Sequence, residues 1–162
     1  LSKQRKLHLD WETRSAVDLR EVGLYVYARH PSTDILCAGW ALDTEGEPDT
    51  EPQIWVPGEP IPTEILNHLA SGGAVYAENA SFELEICNWV GVKYGWPTLD
   101  PAQVYCTQAM GLAHALPAGL DKSAEAMGLG VEKDAAGRRI MLQLSQPRKS
   151  ETVESTDLAV EA

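Results

Sequence analysis

Two carboxylates one residue apart, Asp10 and Glu12, lie within Leu7-His8-Leu9-Asp10-Trp11-Glu12-Thr13, whose alternation has the period of a half-buried β-strand. Leu7, Leu9 and Trp11 would face a core. Asp10 and Glu12 would share the opposite face, their Cα atoms roughly 6.5–7 Å apart at about 3.3 Å per residue. Carboxylates so placed can bridge two divalent ions about 3.5–4 Å apart, which generate hydroxide and steady the leaving oxygen in phosphodiester hydrolysis. A bare Asp-x-Glu describes solvated acids on an exposed sheet face better than it describes such a site.

A second cluster changes that balance. Val75-Tyr76-Ala77-Glu78-Asn79-Ala80-Ser81-Phe82-Glu83 reads as a short apolar strand running into a helix with an acid in its first turn. Asn79 or Ser81 is expected to cap that helix. Phe82, Ile86 and Val90, at i, i+4 and i+8, form its expected buried stripe, with Glu83 beside the stripe. Glu83 could equally serve only to complement the helix dipole.

Around these residues, Ile35 to Leu42 reads as a strand, Asp43 to Glu51 as an acidic turn, and Gln53 to Val56 as a hairpin partner. Pro62 opens a helix with Ile65, Leu66 and Leu69 on one face, closed by Gly72-Gly73. Ala74 to Ala77 returns as a strand. Helices are expected from about Ala102 to Ala115, from Leu120 to Met127 and from Asp134 to Leu144. Strands early and helices late give an α/β chain with a mixed sheet and flanking helices.

The 162 residues, 44% of them apolar, suit one domain with a real core. No apolar run approaches a membrane span and no signal-peptide core follows the basic start, so a cytoplasmic location without membrane contact is expected. A net charge of −11 argues against a surface that coats nucleic acid. The acids concentrate in the 43–51 loop and the tail, however, while Arg138, Arg139, Arg148 and Lys149 cluster late and could contact phosphate or merely solvate a helix. Cys37, Cys87 and Cys106 are widely spaced and suit buried free thiols better than a zinc site or disulfide. His8, His30, His68 and His114 lack ligand spacing, although His8 shares the face of the acids. The five tryptophans suit a core better than a base-stacking platform. There is no Gly-rich nucleotide loop and no nucleophile elbow.

The run Asp10-Trp11-Glu12-Thr13-Arg14-Ser15, then Asp18-Leu19, Gly23, Tyr25, Tyr27-Ala28, His30-Pro31-Ser32-Thr33 and Ile35-Leu36-Cys37 resembles the opening of phage-type family A DNA polymerases, their proofreading exonuclease. The resemblance continues through Glu78 to Glu83, Cys106-Thr107-Gln108-Ala109-Met110, Lys133-Asp134 and Met141 to Lys149. It implies a ribonuclease H-like domain over residues 1–149 and a 3'-to-5' exonuclease of the DEDD superfamily acting on single-stranded DNA 3' ends. Asp10, Glu12 and Glu83 would be its catalytic, metal-holding acids. Glu83 stands where that family usually carries Asp. Thr13, Asn79 and Phe82 would hold the terminal nucleotide, and magnesium or manganese suits the all-oxygen ligands.

The family also carries a Tyr-x-x-x-Asp motif that supplies a fourth acid. Asp157 has Val153 where that Tyr should stand, and residues 150–162 read as a polar, disordered tail. The domain is therefore expected to be incomplete at its C-terminus, and the opening Leu in place of Met suits a chain trimmed or cut from a longer product. A missing covering helix would expose an apolar patch, and a complementary polymerase chain could supply both cover and acid. The alternative is a catalytically inactive remnant that serves as a nucleic-acid-binding or assembly module.

Overall fold

The computed structural model describes residues 5–47, 49–130 and 135–145. The opening alternation becomes β1 (Arg5–Arg14), which buries Leu7, Leu9 and Trp11 and leaves Asp10 and Glu12 on the other side. Next comes α1 (Leu19–Arg29), started by the Asp18 carboxylate accepting from the Arg20 amide at 2.7 Å and broken at Gly23, where φ is 74°. No helix is expected there from the sequence. The break divides its apolar spacing, and Tyr25 and Val26 face outward, so the period is blurred.

The expected meander follows as β2 (Asp34–Thr44), antiparallel to β1, and β3 (Gln53–Trp55), antiparallel to β2. The helix expected after Pro62 is α2 (Thr63–Ala70), which buries Ile65, His68 and Leu69. Gly73 is required at the next turn: a Cβ there would meet the His68 ring at 2.3–2.5 Å. The ring packs there because its Nε2 lies 2.9 Å from the carbonyl oxygen of Ala74. That residue opens β4 (Ala74–Ala77), parallel to β1, and α3 (Ser81–Trp89) follows.

The helix expected from Ala102 to Ala115 is divided. Pro101–Gln103 is a 3-10 turn, Val104–Cys106 is strand β5, and Thr107–Ala113 is α4. Val104 and Tyr105 are strand formers, and an open edge of β4 is there to receive them in parallel register. The chain then forms α5 (Leu120–Ala126) and α6 (Ala135–Leu144), as expected.

The sheet order is β3-β2-β1-β4-β5, antiparallel on one side of β1 and parallel on the other. This is a ribonuclease H-like mixed α/β arrangement. Trp11, Trp55 and Trp96 meet edge-to-face, with ring centroids 4.7–6.1 Å apart, and Ile65, Ile86 and Val90 are fully buried in the same core. Four tryptophans are internal as expected. Trp89 instead lies exposed with the Arg29 guanidinium 3.9 Å from its ring centroid.

Candidate active site

β1 lies at the centre of the sheet and presents Asp10 and Glu12, while β4 pairs with it only from Lys6↔Ala74 to His8↔Tyr76. Past that point the chain leaves the sheet through Glu78 and Asn79 and enters α3, so the first helical turn lies near the later half of β1. Neither expected side-chain cap forms. Asn79 takes a left-handed conformation, φ 51°, and uses its backbone carbonyl to accept the Phe82 amide at 2.9 Å; Ala80 is the capping position. Burial in α3 is also shifted: Glu83 is 3% exposed and is buried along with Ile86, Cys87 and Val90, while Phe82 is only partly covered.

A carboxyl that is this deeply buried is costly to ionise. Burial above all pushes Glu83 up to about 8, the charges of Asp10 and Glu78 add to the rise, and the backbone amides of Glu83 and Trp11 oppose it. Its Oε2 has no hydrogen-bond partner. Asp10 is raised by burial and then by Glu78, and Glu12 by burial and then by Asp10. The field reaches β2, where Cys37, paired in register with Glu12, is raised by its own burial and by both acids. A register shift between Glu12 and Thr13 sits beside this group, where a bulge can re-aim a strand.

The structure thus brings together Asp10, Glu12 and Glu83, and adds Glu78. Sequence reasoning missed Glu78 as a site residue; its signal was a position just beyond a strand parallel to β1. Asp10 and Glu78 open into a groove of about 320 Å³ shared with His8, Trp40, Tyr76 and Thr107. His8 contacts Asp43, at 3.2 Å, rather than the acids.

The remaining expected residues divide. Thr13 is buried with its hydroxyl 2.8 Å from that of Tyr27, so the side chain serves the core, and Tyr27 in turn packs on Phe82 with ring centroids 6.3 Å apart. Asn79 is exposed at the mouth of α3. Arg139 is exposed on α6, the helix that also carries Arg138; Arg148, Lys149 and the tail with Asp157 lie outside the described residues.

Four carboxylates offer the hard oxygen donors that magnesium or manganese takes, and the unpartnered Glu83 oxygen is the atom a cation would satisfy. As they stand, no three His, Cys, Asp or Glu side chains among the described residues close tightly enough to enclose an ion. The donor set therefore fits a divalent cation in kind, by the chemistry of its oxygens, and not by their present spacing.

A mixed α/β sheet with an acid group at the meeting of its two central parallel strands defines the class, and sequence similarity adds a relative. No family model matches the chain. A DNA polymerase of Bacillus phage SP02 is 33% identical over 146 residues, covering 90% of this chain and 22% of that polymerase. The chain is thus related to a region of a phage DNA polymerase and spans less than a quarter of its length. Among the described residues no helix is long and apolar enough to cross a membrane.

Proposed function

We propose that the chain is a metal-dependent 3'-to-5' exonuclease module of a phage-type DNA polymerase, hydrolysing the terminal phosphodiester of a single-stranded DNA end. The observation that carries this reading is Glu83: a buried carboxyl with one oxygen, Oε2, unpartnered, near Asp10, in a chain related to a phage DNA polymerase. A buried acid oxygen without a partner is a liability to folding alone, and it becomes useful when a cation satisfies it.

Asp10, Glu12 and Glu83 would hold magnesium or manganese, which when bound supplies the Lewis acidity for attack on phosphorus and for departure of the 3' oxygen. Glu83 is closed off from bulk water, whereas Asp10 is exposed and Glu12 half-buried, so an ion would reach the site from their side. Exposed Asn79 and half-covered Phe82 flank the entrance to α3, where they can bear on a terminal nucleotide, and Tyr27 backs Phe82. Arg139, and with it Arg138, Arg148 and Lys149, would engage phosphates further along the strand.

The test is release of nucleotides from a 3'-labelled single strand by the purified protein with manganese. Asp10→Ala and Glu83→Ala should each abolish release while leaving the circular dichroism spectrum intact. Release unchanged by both substitutions would sink the assignment. Manganese binding without release would select the non-catalytic binding module instead.

A further inference from the structure

We propose that the sheet face leading to Asp10 is a stacking surface for the bases of a single strand, made by His8, Tyr76 and Tyr105. The proposal rests on the reading above for where the strand ends, and it names what holds the nucleotides behind that end. Its first support is register. His8 on β1 pairs with Tyr76 on β4, and Tyr76 pairs with Tyr105 on β5, so three rings cross three adjacent strands in one row. Directly paired residues share a face. The face of His8 is also that of Asp10, two residues along β1.

The second support is how the rings are arranged. Those of Tyr76 and Tyr105 stack with centroids 5.1 Å apart and planes 16° from parallel, and the His8 ring lies 5.8 Å from Tyr76, tilted by 31°. β5 is the edge of the sheet, so the row ends at Tyr105, which is 45% exposed. A base can extend the stack there, against the outer face of that ring. At the other end, His8 and Tyr76 line the groove into which Asp10 opens. Cross-strand pairing accounts for the contacts between the rings, but not for a row left open to solvent beside that groove.

The third support concerns the occupant. Asp10, Asp43 and Glu78 border the row, with the Lys6 ammonium 5.8 Å from the Tyr76 centroid, so attraction of phosphates is not what would hold a strand here. Flat rings take bases whatever the charge around them, because every base has a π face. The groove leads a strand whose last phosphodiester lies at Asp10 onto this row.

Fluorescence anisotropy of a short labelled oligothymidylate, in chelator so that nothing is hydrolysed, tests this against an abasic oligomer of equal length. The oligothymidylate should bind about tenfold more tightly or better. Tyr105→Ala should weaken that binding about fivefold or more, Tyr105→Phe should retain it, and neither should alter binding of the abasic oligomer; melting temperatures show that the sheet of each variant is intact. Equal binding of the two oligomers, binding of neither, or oligothymidylate binding unaltered in Tyr105→Ala would overturn the stacking surface and leave the rings to a covering protein segment. Nucleotide release, with its Asp10→Ala control, is read separately. Release without base-dependent binding would overturn this proposal alone, and base-dependent binding without release would overturn the exonuclease and leave the surface standing.

Discussion

The chain up to Leu99 and the chain beyond it are built differently. Every buried hydrophobic residue among those described lies between Leu7 and Leu99, while α4 and α5 bury none and Met110, Leu112, Leu120, Met127, Ile140, Leu142 and Leu144 stand exposed. The acids belong to the first region. The basic residues expected to meet phosphate belong to the second, which joins the first through the pairing of β5 with β4, through Val104 packed against the core, and through polar ties that include Thr107 and Gln108 on Glu78 and the Ser15 amide donating to the Ser145 carbonyl at 3.1 Å. The carboxylates are therefore set by a packed core, and whatever α4 to α6 contribute depends on contacts at the site itself.

This division is tested most forcefully at Trp55. The residue is 1% exposed, packs on Trp11, Trp96 and Tyr94, and donates its indole hydrogen to the Glu59 carbonyl at 3.0 Å. Trp55→Ala should cost about 3–5 kcal/mol in urea unfolding; a loss below about 1 kcal/mol would mean that the first region is not the stabilising core.

A comparable effect belongs to pH. Glu83 is protonated in the fold up to about 8, whereas the unfolded chain releases that proton near 4.5. The folded state then binds more protons between these limits, so the metal-free protein should lose stability as pH rises through them, by a few kcal/mol in all. Asp10 and Glu12, also raised, act in the same direction. Thermal unfolding in chelator checks this, and Glu83→Gln should flatten the profile. A profile that rises with pH over this window would contradict the burial of Glu83.

Smaller still is the clamp between α1 and α3. Arg29 lies 2.7 Å from Glu85 and sits between the Tyr25 and Trp89 rings, at 3.6 and 3.9 Å from their centroids. Arg29→Ala should cost about 1–2 kcal/mol, and Glu85→Ala less, because the rings remain; equal losses would assign the clamp to the ion pair alone. Least of all, Ile140→Ser on α6 should stay within about 0.5 kcal/mol of the unsubstituted protein. A large loss there would show that α6 covers a core of its own.

The sequence carried much of this because alternation is a strong signal where one face is buried. Residues 7–13 predict β1 and the two faces of its side chains, and Ile65 with Leu69 predict the inner face of α2. What it did not carry depends on distant partners. Val104-Tyr105-Cys106 is too short to announce a strand, and only the edge of β4 makes it one. Gly23 breaks α1 and hides its period. At the site, Asp10 and Glu12 were legible from spacing and Glu83 from its place in the resemblance. Glu78, which lines a groove with Asp10, was not, because the turn that carries it is brought to β1 only by the pairing of β4, which the whole of α1, β2, β3 and α2 separates from β1 along the chain.

The central place of β1 has a consequence for the order in which the molecule can assemble. β1 precedes all of its partners in the chain, yet it is flanked by β2 on one side and by β4 on the other. Its antiparallel side can close early, by a nearby return. Its parallel side must wait for β4, and closing so long a loop is entropically slow. Until then Asp10 and Glu12 are ordinary solvated acids, and Glu83 is an ordinary helical one. The acids are therefore gathered by the closure of β4 on β1, and a nascent chain that has not yet released α3 carries Asp10 and Glu12 without Glu83 beside them.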